Sequence, residues 1–453
     1  MSKPNVLFIP VDDLRPQLGC YGHRQMVTPH LDGLADSGVV FRQAYCQVPV
    51  CGATRASLLT GVRPTRQRFV DYKTWVDEEL PGARTLPEHF GQHGYTTVSV
   101  GKVFHHRTDA AERSWSREPW HPNMEVTGNW RNYLIEANEQ LAASRGGQGP
   151  PYESADVPDN AYFDGKIADR AIAELDRLSR GDAPFLLAVG FLKPHLPFNA
   201  PRKYWDLYHR DDVPLADNPY RPDGAPNEAL HNWGELRAYF DVPKDGPLSE
   251  AMARALVHGY YAATSYVYAE IGRVLAELDR LGLADRTIVV VWGDHGWQLG
   301  EHGLWCKHCN FNTSLNAPLI VRAPGMARGK AAEAIVEFLD VFPTLCELCD
   351  LPHPESLQGT SLVPILTDAT RSVTPAAFCR YRAGESVRTD RWLYTQWLDA
   401  QDRRIAHMLY DHTDDPAENV SLADREEHAG LVDRLAAMLA EVRMANEDGV
   451  SGD

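Results

Sequence analysis

The sequence predicts an α/β protein built on a large, mostly parallel sheet flanked by helices, with a smaller antiparallel unit near the C-terminal end. Four apolar runs rich in β-branched residues lack the alternation of a half-buried strand. Continuous runs of this kind are typical of strands buried on both faces, as in parallel sheets. Helix-like segments separate the runs, which supplies crossover connections. The four runs are residues 6–11, 97–100, 185–192 and 287–292.

Two long helix-like segments carry their own boundary signals. Residues 160–180 place apolar side chains on one face and stop at Gly181. The second helix begins after Ser249, a favourable N-cap residue, and its apolar side chains recur at spacings of 4, 3, 4 and 3 before Gly282. It delivers the chain to the fourth apolar run, so we expect a crossover between parallel strands.

The pattern changes from about residue 366 to short alternating strands followed by a last amphipathic helix. We therefore predict a catalytic α/β unit over 1–365 and a small antiparallel sheet with a covering helix over 366–453. Two irregular stretches rich in Pro, Gly, Trp or Asp, at about 106–158 and 197–248, are expected to be long insertions over a site. The predicted strands of the small sheet are 377–381, 392–397 and 407–410.

Each of the four buried runs ends at charged or imidazole side chains. Ligands of open parallel sheets bind beyond the carboxyl ends of the strands, where such ends share one edge. Four strands that deliver Asp, Lys and His to one edge therefore predict a functional site. In chain order these residues are Asp12 and Asp13, Lys102 and His105, Lys193 and His195, and Asp294 and His295.

The acidic members of this set indicate a metal ion. Asp12, Asp13 and Asp294 would bring three negative charges into one partly desolvated place, and like charges that close need a cation. Carboxylate oxygens favour Ca²⁺ or Mg²⁺. His295 is a complication, because imidazole is commoner on zinc or manganese. The alternative is that Asp12 and Asp13 only cap a turn, but the second acidic group after another buried strand favours ligation.

Cys51 and Arg55 lie where the sequence predicts that a loop becomes a helix over 53–60, ended by Gly61. A helix start presents unpaired N–H groups and the positive end of a dipole, which suits a nucleophile that faces an anion. Taken alone, a small buried cysteine is the more ordinary interpretation. The charged ends of the four strands favour the functional one.

The basic residues fit an anionic substrate. They cannot all face a metal ion, but they can surround an anion that bridges to it, because Arg offers a rigid fork and Lys a mobile point charge. His105 and His195 are suited to move protons near neutral pH. The pattern predicts metal-assisted transfer of a sulfuryl or phosphoryl group to a nucleophile, followed by hydrolysis. The cations are Arg55, Lys102, Lys193 and Lys307.

Segment 51–61, Cys-Gly-Ala-Thr-Arg followed by Ala-Ser-Leu-Leu-Thr-Gly, resembles the signature of formylglycine-dependent type I sulfatases. Further segments, spread over nearly the whole chain, resemble motifs of that family and occur in the same order as they do there. Within it, the chain is most similar to the iduronate-2-sulfatase branch, which shows Asp-His where many sulfatases have Asp-Asn. The matching segments are 12–13, 28–32, 69–72, 101–105, 193–195, 293–296, 299–307, 409–411 and 415–419.

The resemblance implies an alkaline-phosphatase-like fold and a sulfatase that hydrolyses sulfate esters. A maturation enzyme would oxidise Cys51 to formylglycine, whose hydrate attacks sulfur and can then expel sulfate without water attacking sulfur. The family usually has Pro two residues after this cysteine, where this chain has Ala53. Two alternatives stay open: a phosphodiester or phosphonate monoester hydrolase on the same scaffold, and a sulfoglycan-binding pseudoenzyme with unconverted Cys51.

The resemblance also implies a metal set. Asp12, Asp13, Asp294 and His295 would bind Ca²⁺, with Mg²⁺ or Mn²⁺ as alternatives, and an oxygen of modified Cys51 would complete the shell. Asp294 would also accept a proton from the aldehyde hydrate.

The same resemblance implies roles for the remaining residues. Arg55 and Lys102 would hold the hydrate, and His105 would help the sulfated intermediate collapse. His195 and Lys307 would serve the leaving oxygen and the sulfate.

The expected substrate is a sulfate ester of a uronic acid or related sugar, such as a 2-O-sulfate, released in glycan breakdown. Candidates for the sugar pocket are aromatic or charged side chains, each of which has ordinary packing as an alternative. Exo or endo action and the oligomeric state stay open. The candidates are Lys193, Asp71, Tyr72, Trp75, Trp297 and the insertion residues Trp115, Trp120 and Trp130.

Composition narrows the partners further. The formal charge of −17 over 453 residues disfavours nucleic acid and anionic membranes, and no run approaches the roughly 20 apolar residues of a membrane span. The chain has eight cysteines, and setting Cys51 aside leaves seven. Because an odd number cannot pair completely into disulfides, cysteine usage indicates a reducing compartment. With no signal peptide visible, the expected location is cytoplasmic, or periplasmic if a leader was removed.

Overall fold

The computed structural model describes residues 3–122 and 131–447. Its strands, in chain order, are β1 Asn5–Val11, β2 Val39–Tyr45, β3 Thr96–Gly101, β4 Tyr152–Ala155, β5 Phe185–Gly190, β6 Phe198–Pro201, β7 Thr287–Gly293, β8 Gln298–Leu299, β9 Trp305–Cys306, β10 Leu319–Arg322, β11 Lys330–Glu337, β12 Ala376–Tyr381, β13 Gly384–Thr389, β14 Trp392–Leu398 and β15 Arg404–Asp411.

The α-helices of the same ranges are α1 Pro29–Asp36, α2 Cys51–Thr60, α3 Val76–Glu79, α4 Leu86–Gln92, α5 Ala111–Ser114, α6 Glu136–Ser144, α7 Phe163–Ser179, α8 Arg202–Trp205, α9 Gly234–Arg237, α10 Glu250–Arg280, α11 Asn312–Leu315, α12 Val341–Leu348, α13 Val363–Thr367 and α14 Ala429–Glu447. Short 3₁₀ turns connect several of them.

A seven-stranded sheet forms the centre of the described residues, in the order β11-β2-β10-β7-β1-β5-β3. Every neighbouring pair is parallel except the two pairs made by β10, which runs antiparallel to β7 and β2. The predicted α/β class with a mostly parallel sheet is confirmed. The four apolar runs of the sequence are β1, β3, β5 and β7, and they lie side by side.

The central strands are buried on both faces, which is why their sequences do not alternate in polarity. Val6 and Phe8 of β1 pack into the core on one face of the sheet, whereas Leu7 and Ile9 pack into the core on the other. Helices α2, α4 and α12 cover the first face, and α1, α7 and α10 cover the second. Successive side chains still point to opposite faces of the sheet, but the side chains on both faces are apolar.

Helix boundaries follow the predicted signals closely. Helix α10 starts where expected, and the Oγ of Ser249 accepts a hydrogen bond from the N–H of Met252 at 3.3 Å. The predicted helix over 160–180 is α7, preceded by a 3₁₀ turn. Helix α2 begins at Cys51, two residues earlier than predicted, and ends at Gly61 in the left-handed region (φ 69°).

The C-terminal part is an antiparallel meander, β12-β13-β14-β15, covered by α14. Strand β13 was not predicted, because Glu385, Ser386 and Arg388 make it look like a polar loop. All three side chains are buried and paired: for example, the Nε of Arg388 donates to the Tyr45 hydroxyl at 3.0 Å. The domain boundary near residue 366 stays a prediction.

The two predicted insertions contain more order than expected. The first carries β4 and the second begins with β6, and these strands pair in parallel with Tyr152 opposite Phe198. The two insertions therefore brace each other above the carboxyl edge of the main sheet. Within the described ranges, no helix has both the length and the apolar character needed to cross a bilayer.

Candidate active site

The site lies at the carboxyl edge of four adjacent strands, β7-β1-β5-β3. Two glycines bring the last two of these strands together at their ends. A Cβ on Gly101 would lie 2.1 Å from the Gly190 carbonyl oxygen, and a Cβ on Gly190 would lie 1.9 Å from the Lys102 carbonyl oxygen. Only glycine allows this approach, and it fixes where Lys102 leaves β3.

Three carboxylates from two strand ends meet at this edge. Asp12, Asp13 and Asp294 are each no more than 1% exposed. Asp13 has left-handed backbone (φ 58°), which Asp tolerates better than most residues, and its N–H donates to the Asp294 Oδ1 at 2.9 Å. The structure thus brings together the acidic residues that the sequence singled out.

Arg55 holds two of these carboxylates from below. Its Nε lies 3.0 Å from the Asp294 Oδ2 and its Nη2 lies 3.2 Å from the Asp12 Oδ1, while Nη1 donates to the carbonyls of Lys102 and Val103. The guanidinium is fully buried. Burial would lower the pKa of Arg55, but the two carboxylates raise it, so the charge is firmly held.

Cys51 is the first residue of α2, buried beside this cluster. Burial would raise the pKa of its thiol, but the Lys102 ammonium lowers it below the ordinary value. Lys102 also pairs with the Asp12 Oδ2 through its Nζ at 2.6 Å. These neighbours favour the thiolate form of Cys51, in keeping with the predicted nucleophile.

Gly52 explains how the segment after the helix reaches the site. A Cβ at this position would lie 2.7 Å from the carbonyl oxygen of Asp71 and 2.8 Å from the Cα of Tyr72. The 71–72 backbone therefore rests directly on the start of α2.

The donor set fits a divalent metal. The Nδ1 of His295 faces the Gly296 carbonyl oxygen at 3.0 Å, which assigns the proton to Nδ1 and leaves a lone pair on Nε2. That lone pair faces the Asp13 Oδ1 at 3.4 Å and the Asp294 Oδ1 at 3.6 Å. Three acceptors so close repel one another, and a cation between them would relieve that repulsion.

The acid–base character of the cluster supports the same fit. Ligand atoms of Cys51, Asp294 and His295 lie within 4.8 Å of one another, as do those of Asp12, Asp13 and His195. Burial raises the pKa of the Asp13 carboxyl to about 8 despite the neighbouring cations. A further positive charge would relieve that cost.

His195 and Lys307 face the same cluster from the substrate side. The Lys307 Nζ lies 3.0 and 3.1 Å from the two carboxylate oxygens of Asp13, and the His195 Nε2 lies 3.7 Å from the Asp13 Oδ2. Glu235, which no motif of the sequence marks, contacts both side chains. Burial would lower the pKa of His195, but Asp13 raises it above the ordinary value.

His105 lies near the carboxylate cluster, whereas the side chain of Lys193 is turned away from it. His105 lines the cavity near Tyr72, and burial together with the Lys102 charge lowers its pKa to about 3. Lys193 turns its Nζ to the carbonyl oxygens of His195 and Pro197, at 2.7 and 2.6 Å. Burial lowers the pKa of Lys193 to about 8, and the side chain lies in the wall rather than among the carboxylates.

The site opens into a cavity of about 610 Å³. We call the buried cluster beneath the cavity the floor, of which Asp12, Cys51 and Lys102 line the cavity itself. The floor consists of Asp12, Asp13, Cys51, Arg55, Lys102, Asp294 and His295. We call its upper side the wall, formed by Arg131, Asn132, Asp164, Lys193, Asn199, Glu235 and Tyr239. Most of the wall comes from the two insertions and was not predicted, because these residues lie in stretches without periodicity or a motif.

The residues proposed for sugar binding separate into two groups. Tyr72 is 54% exposed and lines the cavity, as Lys193 does. Asp71 does not line it and accepts a hydrogen bond from the Lys73 N–H at 2.7 Å. Trp297 is 1% exposed and lies under the Lys307 Nζ, 4.8 Å from the ring centre, so it supports a site residue rather than facing the cavity.

The other tryptophans do not line this cavity among the described residues. Trp75 stacks on His106 with ring centres 4.2 Å apart, and Trp115 packs edge-on against Phe104. Trp120 lies under the guanidinium of Arg170. Trp130 lies outside the described residues.

Fold and site together define a class of protein, the α/β enzymes that cleave esters of tetrahedral oxyanions at an acidic metal centre. A family model described as Sulfatase matches residues 4–351, and one described as N-sulphoglucosamine sulphohydrolase, C-terminal, matches residues 300–445. The chain therefore belongs to the sulfatase family, and it is a sulfuric ester hydrolase. The predicted family is confirmed.

Known proteins are similar over most of the chain. Iduronate 2-sulfatase of Homo sapiens is 37% identical over 374 residues, covering 80% of this chain and 67% of the relative, which agrees with the predicted branch. A phosphonate monoester hydrolase from Silicibacter pomeroyi has a TM-score of 0.80 at 23% identity, covering 98% and 96% of the two chains. An enzyme in complex with D-glucosamine-2-N,6-O-disulfate has a TM-score of 0.76 at 22% identity, covering 99% of both. These two structures show the fold alone.

Proposed function

We propose that the protein hydrolyses the sulfate ester of a sugar, in particular a 2-O-sulfated uronic acid, by means of a formylglycine made from Cys51. The observation that carries the proposal is the position of Cys51: it begins α2, beside three buried carboxylates, at the base of a cavity lined by cations. The similarity to iduronate 2-sulfatase supports the choice of sugar.

Conversion of Cys51 by a maturation enzyme is part of the proposal. Ala53, which stands where the family usually has Pro, is fully buried in the first turn of α2. Proline is tolerated in a first helical turn, and alanine keeps the same helical backbone. The substitution therefore leaves the folded site intact and concerns recognition of the segment by the maturation enzyme.

The metal ligands in this proposal are Asp12, Asp13, Asp294 and His295, together with the oxygen carried by modified Cys51. We propose Ca²⁺, since most of the donors are oxygens, with Mg²⁺ and Mn²⁺ as the alternatives that a metal analysis separates. When bound, the ion would polarise sulfate oxygens and stabilise negative charge.

The chain's own residues account for the remaining steps. Arg55 and Lys102, anchored on Asp12, orient the nucleophile, and His105 takes up a proton when the sulfated intermediate collapses. Burial, with the Lys102 charge, lowers the pKa of the ring to about 3 and keeps it neutral before that step. His195 and Lys307 face the leaving oxygen and the sulfate.

The cavity suits a small anionic ligand. A volume of about 610 Å³ lies in the range of small-molecule sites, and Arg131 and Lys193 add positive charge to its wall. The exposed ring of Tyr72 at the cavity offers an apolar face to a sugar ring. A reducing compartment belongs to the proposal, because the seven cysteines other than Cys51, all of them among the described residues, form no disulfide with one another.

Three measurements test the proposal. Mass spectrometry of the peptide that contains residue 51, from the native host, should show the aldehyde in place of the thiol. Aryl sulfate should be hydrolysed faster than aryl phosphate, and chelation should abolish turnover, with the metal identified by elemental analysis. A fully unmodified thiol, or equal or faster phosphate turnover, would contradict the proposal.

A further inference from the structure

Glu235 enters the active site from an unexpected part of the chain. It lies on the short helix α9, within the 197–248 insertion, and its side chain is 22% exposed in the cavity wall. No motif marks it in the sequence. Its carboxylate nevertheless lies among the cations that serve the reacting groups.

One oxygen of this carboxylate bridges two of those cations. The Glu235 Oε1 lies 3.1 Å from the His195 Nε2 and 3.0 Å from the Lys307 Nζ. The other oxygen, Oε2, lies 4.0 Å from the His308 Nδ1. A single shared acceptor fixes the distance between the imidazole and the ammonium, which flexible side chains would not otherwise keep.

The ring of His195 is held at both nitrogens. Its Nδ1 faces the Leu196 carbonyl oxygen at 2.6 Å, and its Nε2 faces Glu235. This pair of contacts sets the plane of the ring and directs the Nε2 edge into the cavity. Without Glu235, rotation about the side-chain bonds would carry that edge away.

Lys307 contacts two carboxylates, those of Glu235 and Asp13. Asp13 belongs to the acidic cluster proposed to bind the metal, so its oxygens would be drawn toward that cation. Among the described residues, Glu235 is then the carboxylate left to hold both Lys307 and His195. The insertion thereby completes a site whose floor the main sheet provides.

We infer that Glu235 is a positioning residue that holds His195 and Lys307 against the leaving oxygen of the substrate. This inference rests on the proposed function. As the nucleophilic oxygen proposed at residue 51 would form its bond to sulfur, the bond between sulfur and the sugar oxygen would break, leaving its electron pair on that leaving oxygen. That oxygen takes a proton from the His195 Nε2, and Lys307 offsets the charge that develops before the proton arrives.

The test compares two leaving groups in the Glu235→Gln variant. A sugar alkoxide is a poor leaving group and needs the proton, whereas 4-nitrophenolate leaves without it. We expect kcat for a methyl glycoside of a 2-O-sulfated uronic acid to fall by at least about 10-fold. The value for 4-nitrophenyl sulfate should stay nearly unchanged, as should metal content measured by elemental analysis.

Two further variants serve as controls. Glu228→Gln makes the same charge change at an exposed position of the same insertion, and it should alter neither substrate. Glu235→Asp keeps the charge but is too short to bridge both cations, so it should show the same selectivity for leaving group in a smaller degree. It also replaces the Gln variant if that protein does not fold.

The outcomes separate the two proposals. If the wild type hydrolyses neither sulfate, the proposed function fails. If the wild type hydrolyses both, and the Glu235 variants slow both equally or neither, the positioning role is overturned. Loss of metal from Glu235→Gln would also overturn it, because the residue would then act through the metal centre.

Discussion

The floor and the wall of the cavity are built in different ways. Floor residues extend from the ends of buried strands or from the start of α2, and Arg55, Asp13 and Asp294 are fully buried. Wall residues come mostly from the two insertions, and some of them, such as Glu235, remain partly exposed. The floor is held by the sheet itself, whereas the wall is held by contacts between loops.

The wall is nevertheless joined into one unit. Arg131 of the first insertion donates through its Nε to the hydroxyl of Tyr239 of the second at 3.0 Å, and the Asn199 Nδ2 donates to the Arg131 carbonyl at 3.1 Å. On the proposed function, the floor would carry the reacting groups, and the insertions would position them and select the substrate. Substitutions in the floor should therefore affect every substrate, and those in the wall only some.

The largest effect is expected in the floor, from Asp12→Ala or Asp294→Ala. Each removes a proposed metal ligand, so kcat/KM should fall at least about 10³-fold for sugar and aryl sulfates alike. Arg55 keeps one carboxylate partner in either variant, and the fold should persist. Elemental analysis and kinetics check this, with exposed Asp36→Ala as the control. Turnover like that of the wild type would contradict the assignment.

Arg55→Lys tests the floor through stability. The guanidinium makes charge-assisted bonds to two carboxylates and two carbonyls, and lysine cannot satisfy that geometry. We expect the free energy of unfolding to fall by about 3 kcal/mol, with a loss of activity on both substrates. Denaturant unfolding measures the first quantity. An unchanged midpoint would show that the buried network adds little.

Asp164→Asn tests the wall through pH. Burial raises the pKa of Asp164 to about 6, and its Oδ1 accepts the N–H groups of Leu192 and Lys193. Between pH 4 and 6 the folded state binds more protons at this group than the unfolded state, so its contribution to stability falls as pH rises. The variant should gain about 2 kcal/mol relative to the wild type over that interval. Denaturant unfolding at several pH values measures this difference. If the free energies of unfolding of the wild type and the variant changed in parallel with pH, the expectation would be refuted.

Tyr72→Ala should have a smaller effect, confined to the sugar substrate. The exposed ring offers an apolar face beside the floor, and its loss should cost about 1 kcal/mol of binding, which is roughly a five-fold rise in KM. Steady-state kinetics with both sulfates measures the difference. An equal rise for aryl sulfate would place Tyr72 with the floor.

Asp71→Asn is expected to have the smallest effect. The Asp71 carboxylate accepts the Lys73 N–H in a turn and does not line the cavity. Stability and binding should therefore change by no more than about 0.5 kcal/mol. A selective loss of sugar turnover would mean that Asp71 reaches the substrate after all.

Several features of this chain could be predicted because they depend on local pattern. The strand that ends before Asp12 and the one that ends before Asp294 were both recognisable as buried runs, and parallel packing places their ends together. The N-cap of α10 and the end of α2 at Gly61 could also be predicted from the sequence. Strand β13 was missed, because its polar residues are satisfied by partners that are distant in sequence, such as Tyr45.

The sequence by itself determined the four central strands of the sheet, the residues that follow them at its carboxyl edge, and a helix near Cys51 that ends at Gly61. Hydrophobic periodicity and strand direction are enough to decide which side chains share that edge. Only the tertiary structure decided that Glu235 bridges His195 and Lys307, that Lys193 turns to backbone carbonyls, and that Trp297 lies beneath the site. Those positions depend on how two insertions close over the sheet, and contacts between distant loops leave no period in the sequence.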